Sequence, residues 1–295
     1  MPDASPLSLT DRALGALWGL ALGDALGMPS QTLTRDQIAK HYGQITDFIA
    51  PFDDHPFSHG LKAAQVTDDT EQALLLAKRL IADPSGFDAI DWAKDLLAWE
   101  ADIRRRGLRD LLGPSTKAAL DAILAGVDPD EASKGGTTNG AAMRVAPIGI
   151  ATVVDDIPAF VDRVELSSRV THNTGEAIAG ASAVAAMISA LLDGVTMGTA
   201  FDTALQAATE GQTRGHRAGV PDMATRIEAA VSLARTAPGM DVFADTVGTS
   251  VASHHAVPAA FGLLFMGAGD VWATAVMAAN IGDDTDTIGA IAGAM

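Results

Sequence analysis

Two short runs of the chain concentrate oxygen-donor side chains: Val66-Thr67-Asp68-Asp69-Thr70, and Gly282-Asp283-Asp284-Thr285-Asp286-Thr287. Three carboxylates within four positions repel one another unless they are solvated or share a cation. The second run is flanked by Ala-Val-Met-Ala-Ala-Asn-Ile and Ile-Gly-Ala-Ile-Ala, apolar enough to predict burial. A buried, uncompensated carboxylate cluster is very costly, so a bound cation is the economical inference there. For the first run, taken alone, a second reading stays open. Thr67 would cap the helix that follows, and Asp68 and Asp69 would favour its positive end.

The runs share one composition, Asp with Thr and neither His nor Cys. Such oxygens suit hard cations, which points to Mg²⁺, with Mn²⁺ or Ca²⁺ as other occupants, and two runs allow a two-ion site. A site of this kind orients water, lowers its pKa and neutralises charge on a phosphate-bearing substrate. An EF-hand is excluded, because glycine at loop position six and glutamate at position twelve are missing.

Other residues carry weaker signals. Lys134-Gly-Gly-Thr-Thr-Asn-Gly-Ala-Ala-Met-Arg144 is rich in glycine, hydroxyls and amide, a composition suited to backbone contact with phosphate or ribose. His172 precedes an apolar helical segment, where backbone N–H groups can meet an anion, although a capping or core histidine has the same signature. Pro56 separates His55 from His59, and His254 and His255 are adjacent and point to different helix faces, so none is assigned to metal. Arg214 and Arg217 could clamp a phosphate, but solvated surface charge is their more common role.

The elements that must position these groups read as helices. Leu14, Leu17, Trp18, Ala21, Leu22 and Ala25 fall on one helix face, predicting a helix over 11–26 with Thr10 or Asp11 as N-cap. Within it Gly15, Gly19, Gly23 and Gly27 recur every four residues, each costing about 1 kcal/mol relative to Ala. Close approach by a neighbouring helix along that stripe is the expected compensation. Further helices are predicted over 71–82, 87–106, 115–125, 157–168, 175–192, 200–210, 224–236, 256–265 and 270–279, with a small-residue helical pattern over 288–295. Polar loops fall at 31–69, 107–114, 134–146, 211–222 and 281–287. Strand-like alternation is almost absent, so the fold class is all-α, a single orthogonal or bundled helical domain over 1–295.

Composition bounds the partners. With 48% apolar residues there is ample core, and the net charge of -17 disfavours nucleic acid and anionic membranes as partners. The absence of cysteine removes disulfides, thiolate ligands and a Cys nucleophile. Residues 1–10 lack the pattern of a secretory signal, making the cytoplasm the default compartment. The uncharged stretch 177–192 is short of the roughly 20 residues of a membrane span and reads as a buried, closely packed helix.

Together, Gly23-Asp24-Ala25-Leu26-Gly27, Thr67-Asp68-Asp69-Thr70, Asn139-Gly140-Ala141-Ala142-Met143-Arg144, Thr171-His172 and Asp284-Thr285-Asp286-Thr287 resemble the ADP-ribosylglycohydrolase family, in family order and across nearly the whole chain. The resemblance implies an all-α hydrolase with two Mg²⁺ or Mn²⁺ ions that cleaves the N- or O-glycosidic bond of an ADP-ribosyl group on a protein or small molecule. It implies Thr67, Asp68, Asp69, Asp284, Asp286 and Thr287 as metal ligands. Asn139, Gly140, Met143 and His172 become nucleotide or ribose contacts, and Asp68 or Asp69 assists the attacking water. Many members carry glutamate where this chain has Gln31, which is placed at the substrate but cannot act as a base. Similar proteins also continue with further helix beyond the position of Met295. An isoprenoid-synthase motif fails at Gln72, and a haloacid-dehalogenase motif fails at Ile288. Two readings on the same scaffold remain: a nucleosidase acting on a free riboside, and a non-catalytic binder or structural protein.

Overall fold

The α1 helix, Leu9–Gly27, starts at Ser8, whose hydroxyl accepts from the Asp11 N–H while the Asp11 carboxylate returns to the Ser8 N–H. This reciprocal capping box moves the helix start upstream of the predicted Thr10 or Asp11 cap, because Asp11 serves as its third-residue partner. The computed structural model describes residues 7–84, 86–108, 113–217, 219 and 222–295. The predicted loops at 107–114 and 211–222, and the predicted signal-free stretch 1–10, therefore lie partly outside the described residues.

A 3₁₀ turn, Met28–Ser30, follows α1, and then come α2 (Arg35–Tyr42), α3 (Asp68–Ala82), α4 (Ala89–Arg105), α5 (Pro114–Leu124), α6 (Pro129–Ala132), α7 (Gly140–Met143) and α8 (Ala146–Ala151). The chain continues through α9 (Ile157–Ser168), α10 (Gly175–Leu192), α11 (Met197–Gly211), α12 (Met223–Ala234), α13 (Met240–Val247), α14 (Ser253–Met266), α15 (Val271–Asn280) and α16 (Thr285–Ala294). Among the described residues, extended pairing is limited to three isolated bridges: Leu33 with Asp283, Thr138 with Ala252, and Thr174 with His216. The fold is all-α.

The helices missed by periodicity are short or narrow-faced. In α2 only Ile38 is buried, and in the four-residue α7 every position is buried, so neither presents a repeating apolar stripe. Both lie inside segments predicted as loop. At the other extreme, α10 is apolar all round and buried along nearly its whole length, as a central core helix must be.

The glycine stripe of α1 packs antiparallel against α16. A Cβ on Gly19 would lie 1.9 Å from the Gly293 carbonyl oxygen, one on Gly23 2.0 Å from that of Gly289, and one on Gly27 2.4 Å from that of Thr285. Gly289 and Gly293 supply the matching stripe on α16, so the backbones touch without side chains between them. Gly15 is the exception, with nothing within 4 Å of its position. The stripe is thus three glycines long as a packing device, and it fixes the start of α16 against the end of α1.

Candidate active site

Asp24, on the buried face of α1 one turn before its end, is fully enclosed. Its carboxylate accepts from the Thr67 hydroxyl at 2.7 Å and the Thr70 hydroxyl at 2.5 Å. It also accepts from the Thr67 N–H at 3.0 and 3.1 Å and the Thr70 N–H at 3.1 Å. Asp24 therefore caps the N-terminus of α3 from another helix, while Thr67, although at the N-cap position, makes no side-chain cap bond. A hydroxyl that donates to Asp24 keeps its lone pairs for another partner.

Asp68 and Asp69 are the first two residues of α3, and Asp284, Asp286 and Thr287 occupy the start of α16. All are buried, as is Thr67. The α16 end is aimed by the bridge at Leu33 and Asp283, where the Thr32 N–H bonds the Asp283 carbonyl at 2.5 Å and the Asp283 N–H bonds that of Leu33 at 2.8 Å. Both Thr32 and Asp283 have positive φ, 66° and 68°, strained for a β-branched residue in the first case. This double turn brings Gln31 and Asp284 to the wall of one cavity, of about 130 Å³, together with Asp68, Asp286, Thr287, Thr138, Asn139, Gly140 and Met143. Thr67, Asp69 and His172 are not in that wall.

Like-charge crowding dominates the electrostatics. Burial raises Asp68 and Asp69 well above the ordinary carboxylate range, with neighbouring carboxylates adding to it. Asp286 is raised in the same way by burial, then by Asp284, Asp24 and Asp68. Burial pushes Asp284 up to about 7 against the opposing hydrogen bond from Asn139, and Asp24 up to about 6 against its four Thr donors. Asp69 Oδ1 and Asp286 Oδ1 are buried without a hydrogen-bond partner, as is Gln31 Nε2. Orphaned carboxylate oxygens beside hydroxyl lone pairs fit a hard cation in donor chemistry. Among the described residues no group of three or more His, Asp or Glu side chains is placed to hold a metal ion by itself, so such a cation would also draw on the Thr67 and Thr287 hydroxyls and on water.

The family model described as ADP-ribosylglycohydrolase matches residues 5–295. The chain belongs to the ADP-ribosylglycohydrolase family. It is 36% identical over 297 residues to the Escherichia coli K12 protein YegU, covering 97% of this chain and 86% of that one. To the ADP-ribosyl-[dinitrogen reductase] glycohydrolase of Rhodospirillum rubrum it is 35% identical over 179 residues, 56% of this chain and 53% of the other. A solved structure titled ADP-ribosylglycohydrolase-related protein complex superposes with a TM-score of 0.69 at 26% identity, covering 97% of this chain and 86% of that one.

In this member of the family, the Asn139 side-chain amide donates to Asp284 Oδ2, tying the middle of the chain to its last helix. Gly140 faces the His172 ring, whose Cε1 would lie 2.7 Å from an added Cβ. His172 itself is fully buried, with Thr171 Oγ1 2.8 Å from Nδ1 and Thr138 Oγ1 2.9 Å from Nε2. It stands behind Thr138 as seen from the cavity. Arg214, read as a solvated charge, is instead held by Asp162 at 2.8 Å and Glu210 at 2.8 Å. Asp24, Arg144 and Thr138 received no role from sequence. Asp24 carried a usable signal, a lone carboxylate on the buried face of an apolar helix.

Proposed function

We propose that this family member is a divalent-cation-dependent hydrolase of the glycosidic bond joining ADP-ribose to an acceptor nitrogen or oxygen. The observation carrying the reading is the convergence of the two Asp/Thr runs, more than 200 residues apart in sequence, at one cavity, with Asp286 Oδ1 at its wall and Asp69 Oδ1 behind it both buried and unpartnered. Thr67, Asp68, Asp69, Asp284, Asp286 and Thr287 would hold one or two Mg²⁺ or Mn²⁺ ions. When bound, they would supply positive charge for the ribose hydroxyl oxygens and for water at the anomeric carbon.

The chain's own groups do the rest. Asp68, the carboxylate of α3 that reaches the cavity wall, accepts the proton of the attacking water. The water oxygen bonds the anomeric carbon, and the glycosidic bond breaks with its electron pair going to the leaving group, which then takes the proton. Asp69, deeper, supports Asp68 and the cation. Asn139 orients Asp284, Gly140 and Met143 shape the ribosyl wall, and His172 acts through Thr138. Gln31 presents an amide to the substrate and cannot take a proton.

The test is release of ADP-ribose from mono-ADP-ribosylated arginine substrate with Mg²⁺ or Mn²⁺, with EDTA and an Asp284→Ala/Asp286→Ala variant as controls. Cation-dependent release that the double variant abolishes is the expected result. A folded protein that releases nothing would sink the arginine linkage. Gln31 and the small cavity favour a second reading, hydrolysis of a free riboside, and turnover of nucleosides without turnover of ADP-ribosylarginine would establish it. Binding without turnover of either would leave the non-catalytic reading.

A further inference from the structure

Arg144 fixes the direction of a buried hydrogen-bond chain. Its guanidinium is 1% exposed and donates to Gln72 Oε1 at 2.9 Å and to Thr171 Oγ1 at 2.5 Å. A guanidinium has only donors, so Thr171 Oγ1 accepts there and its own proton must go elsewhere. The partner on hand is His172 Nδ1, 2.8 Å away. Were Nδ1 protonated instead, Thr171 would accept twice and its buried hydroxyl proton would have no acceptor, a costly arrangement.

Nδ1 therefore accepts, and the neutral ring carries its proton on Nε2. Burial, with Arg144 adding to it, pushes His172 well below its ordinary range and keeps it neutral. The Nε2–H points at Thr138 Oγ1, 2.9 Å away, so Thr138 must accept from the ring. Its own hydroxyl proton is then free.

The backbone around Thr138 is pinned on both sides. Its carbonyl accepts from Ser253 Oγ at 2.7 Å, the Ser253 N–H bonds the Thr137 carbonyl at 3.0 Å, and the Asn139 N–H bonds the Val251 carbonyl at 2.9 Å. Thr138 lines the carboxylate cavity, as do Thr116 and Asn139. We propose that Thr138 is a specificity-determining residue whose hydroxyl, polarised by the Arg144–Thr171–His172 chain, donates to an acceptor oxygen of the ribosyl ligand. The selection is for an acceptor at that point, a sugar or phosphate oxygen, and against a donor-only group such as an ammonium. The proposal rests on the ribosyl reading of the cavity.

Two measurements test it, with ADP-ribose as the probe. The ring tautomer of His172 is read by ¹H–¹⁵N correlation in the wild type, assigned against a His172→Gln spectrum, and the Nε2–H form is expected. Titration calorimetry then compares wild type, Thr138→Val and Thr138→Ser in Mg²⁺ buffer. The valine variant is expected to bind ADP-ribose about tenfold more weakly, the effect of one lost hydrogen bond, and the serine variant to restore affinity. An Nδ1–H or doubly protonated ring would overturn the proposal even if the valine variant failed to fold. So would equal binding by wild type and a folded Thr138→Val protein. If the wild type itself does not bind ADP-ribose, the ribosyl reading fails, and the proposal fails with it.

Discussion

The Thr67 hydroxyl donates to Asp24 Oδ1 at 2.7 Å, joining α1 to the entrance of α3 across 43 residues of sequence. Asp24 thereby sets where Asp68 and Asp69 stand without itself lining the cavity. Thr70 makes the companion bond at 2.5 Å from a buried position. Thr70→Val keeps the shape and removes one donor to a charged group, so urea denaturation is expected to show a loss of about 1.5–3 kcal/mol. A loss below about 0.5 kcal/mol would mean that Asp24 does not depend on this cap.

The glycine stripe gives a paired prediction. At Gly23 an added methyl meets the Gly289 backbone carbonyl at 2.0 Å, and backbone cannot rotate away, so Gly23→Ala should cost about 1–3 kcal/mol or more and move Asp24 relative to Asp286. Gly15 has nothing within 4 Å, so Gly15→Ala should stabilise by about 0.5–1 kcal/mol through helix propensity. Thermal or chemical unfolding of the two variants side by side checks the opposite signs.

Asp286 is raised by burial and by three neighbouring carboxylates, and its Oδ1 lacks a partner. Removing that charge relieves repulsion when no cation is present. Asp286→Asn is therefore expected to melt higher than wild type in EDTA but to gain little from Mg²⁺. The wild type should gain about 2.7 kcal/mol when Mg²⁺ reaches a hundredfold excess over its Kd. Equal responses of the two proteins to Mg²⁺ would place the cation elsewhere.

Glu176 is buried at the start of α10, with Oε2 3.3 Å from His254 Nδ1, and burial pushes its carboxyl up to about 7. A raised folded-state pKa means that its stabilising share is complete below the ordinary carboxylate range and is lost as pH rises through about 7. His254 is lowered by burial and by His255, so its share runs the other way and is lost as pH falls. Melting from pH 5 to pH 8 should show Glu176→Gln close to wild type at pH 5 and more stable at pH 8, by on the order of 2 kcal/mol. A constant difference across that range would mean that Glu176 is ionised and paired throughout.

The chain's own order of residues determined the helical class, the spans of α9 and α10, and the two Asp/Thr runs, because 3.6-residue periodicity and carboxylate density are local properties. It also called for a close neighbour along Gly15, Gly19, Gly23 and Gly27, but could not tell that Gly15 has none. Sequence did not name that neighbour as α16, since helix pairing depends on which distant stripe is complementary. Nor could it sort equivalent threonines. Thr285 spends its hydroxyl on the Gly27 carbonyl at 2.9 Å and Thr70 on Asp24, while Thr287 reaches the cavity. The direction of a hydroxyl is decided by the acceptor brought beside it, and the partners Thr67 of Asp24 and His172 of Thr138 lie 43 and 34 residues away in sequence. Only the packing of α1, α3 and α16 around one cavity assigns each oxygen its role.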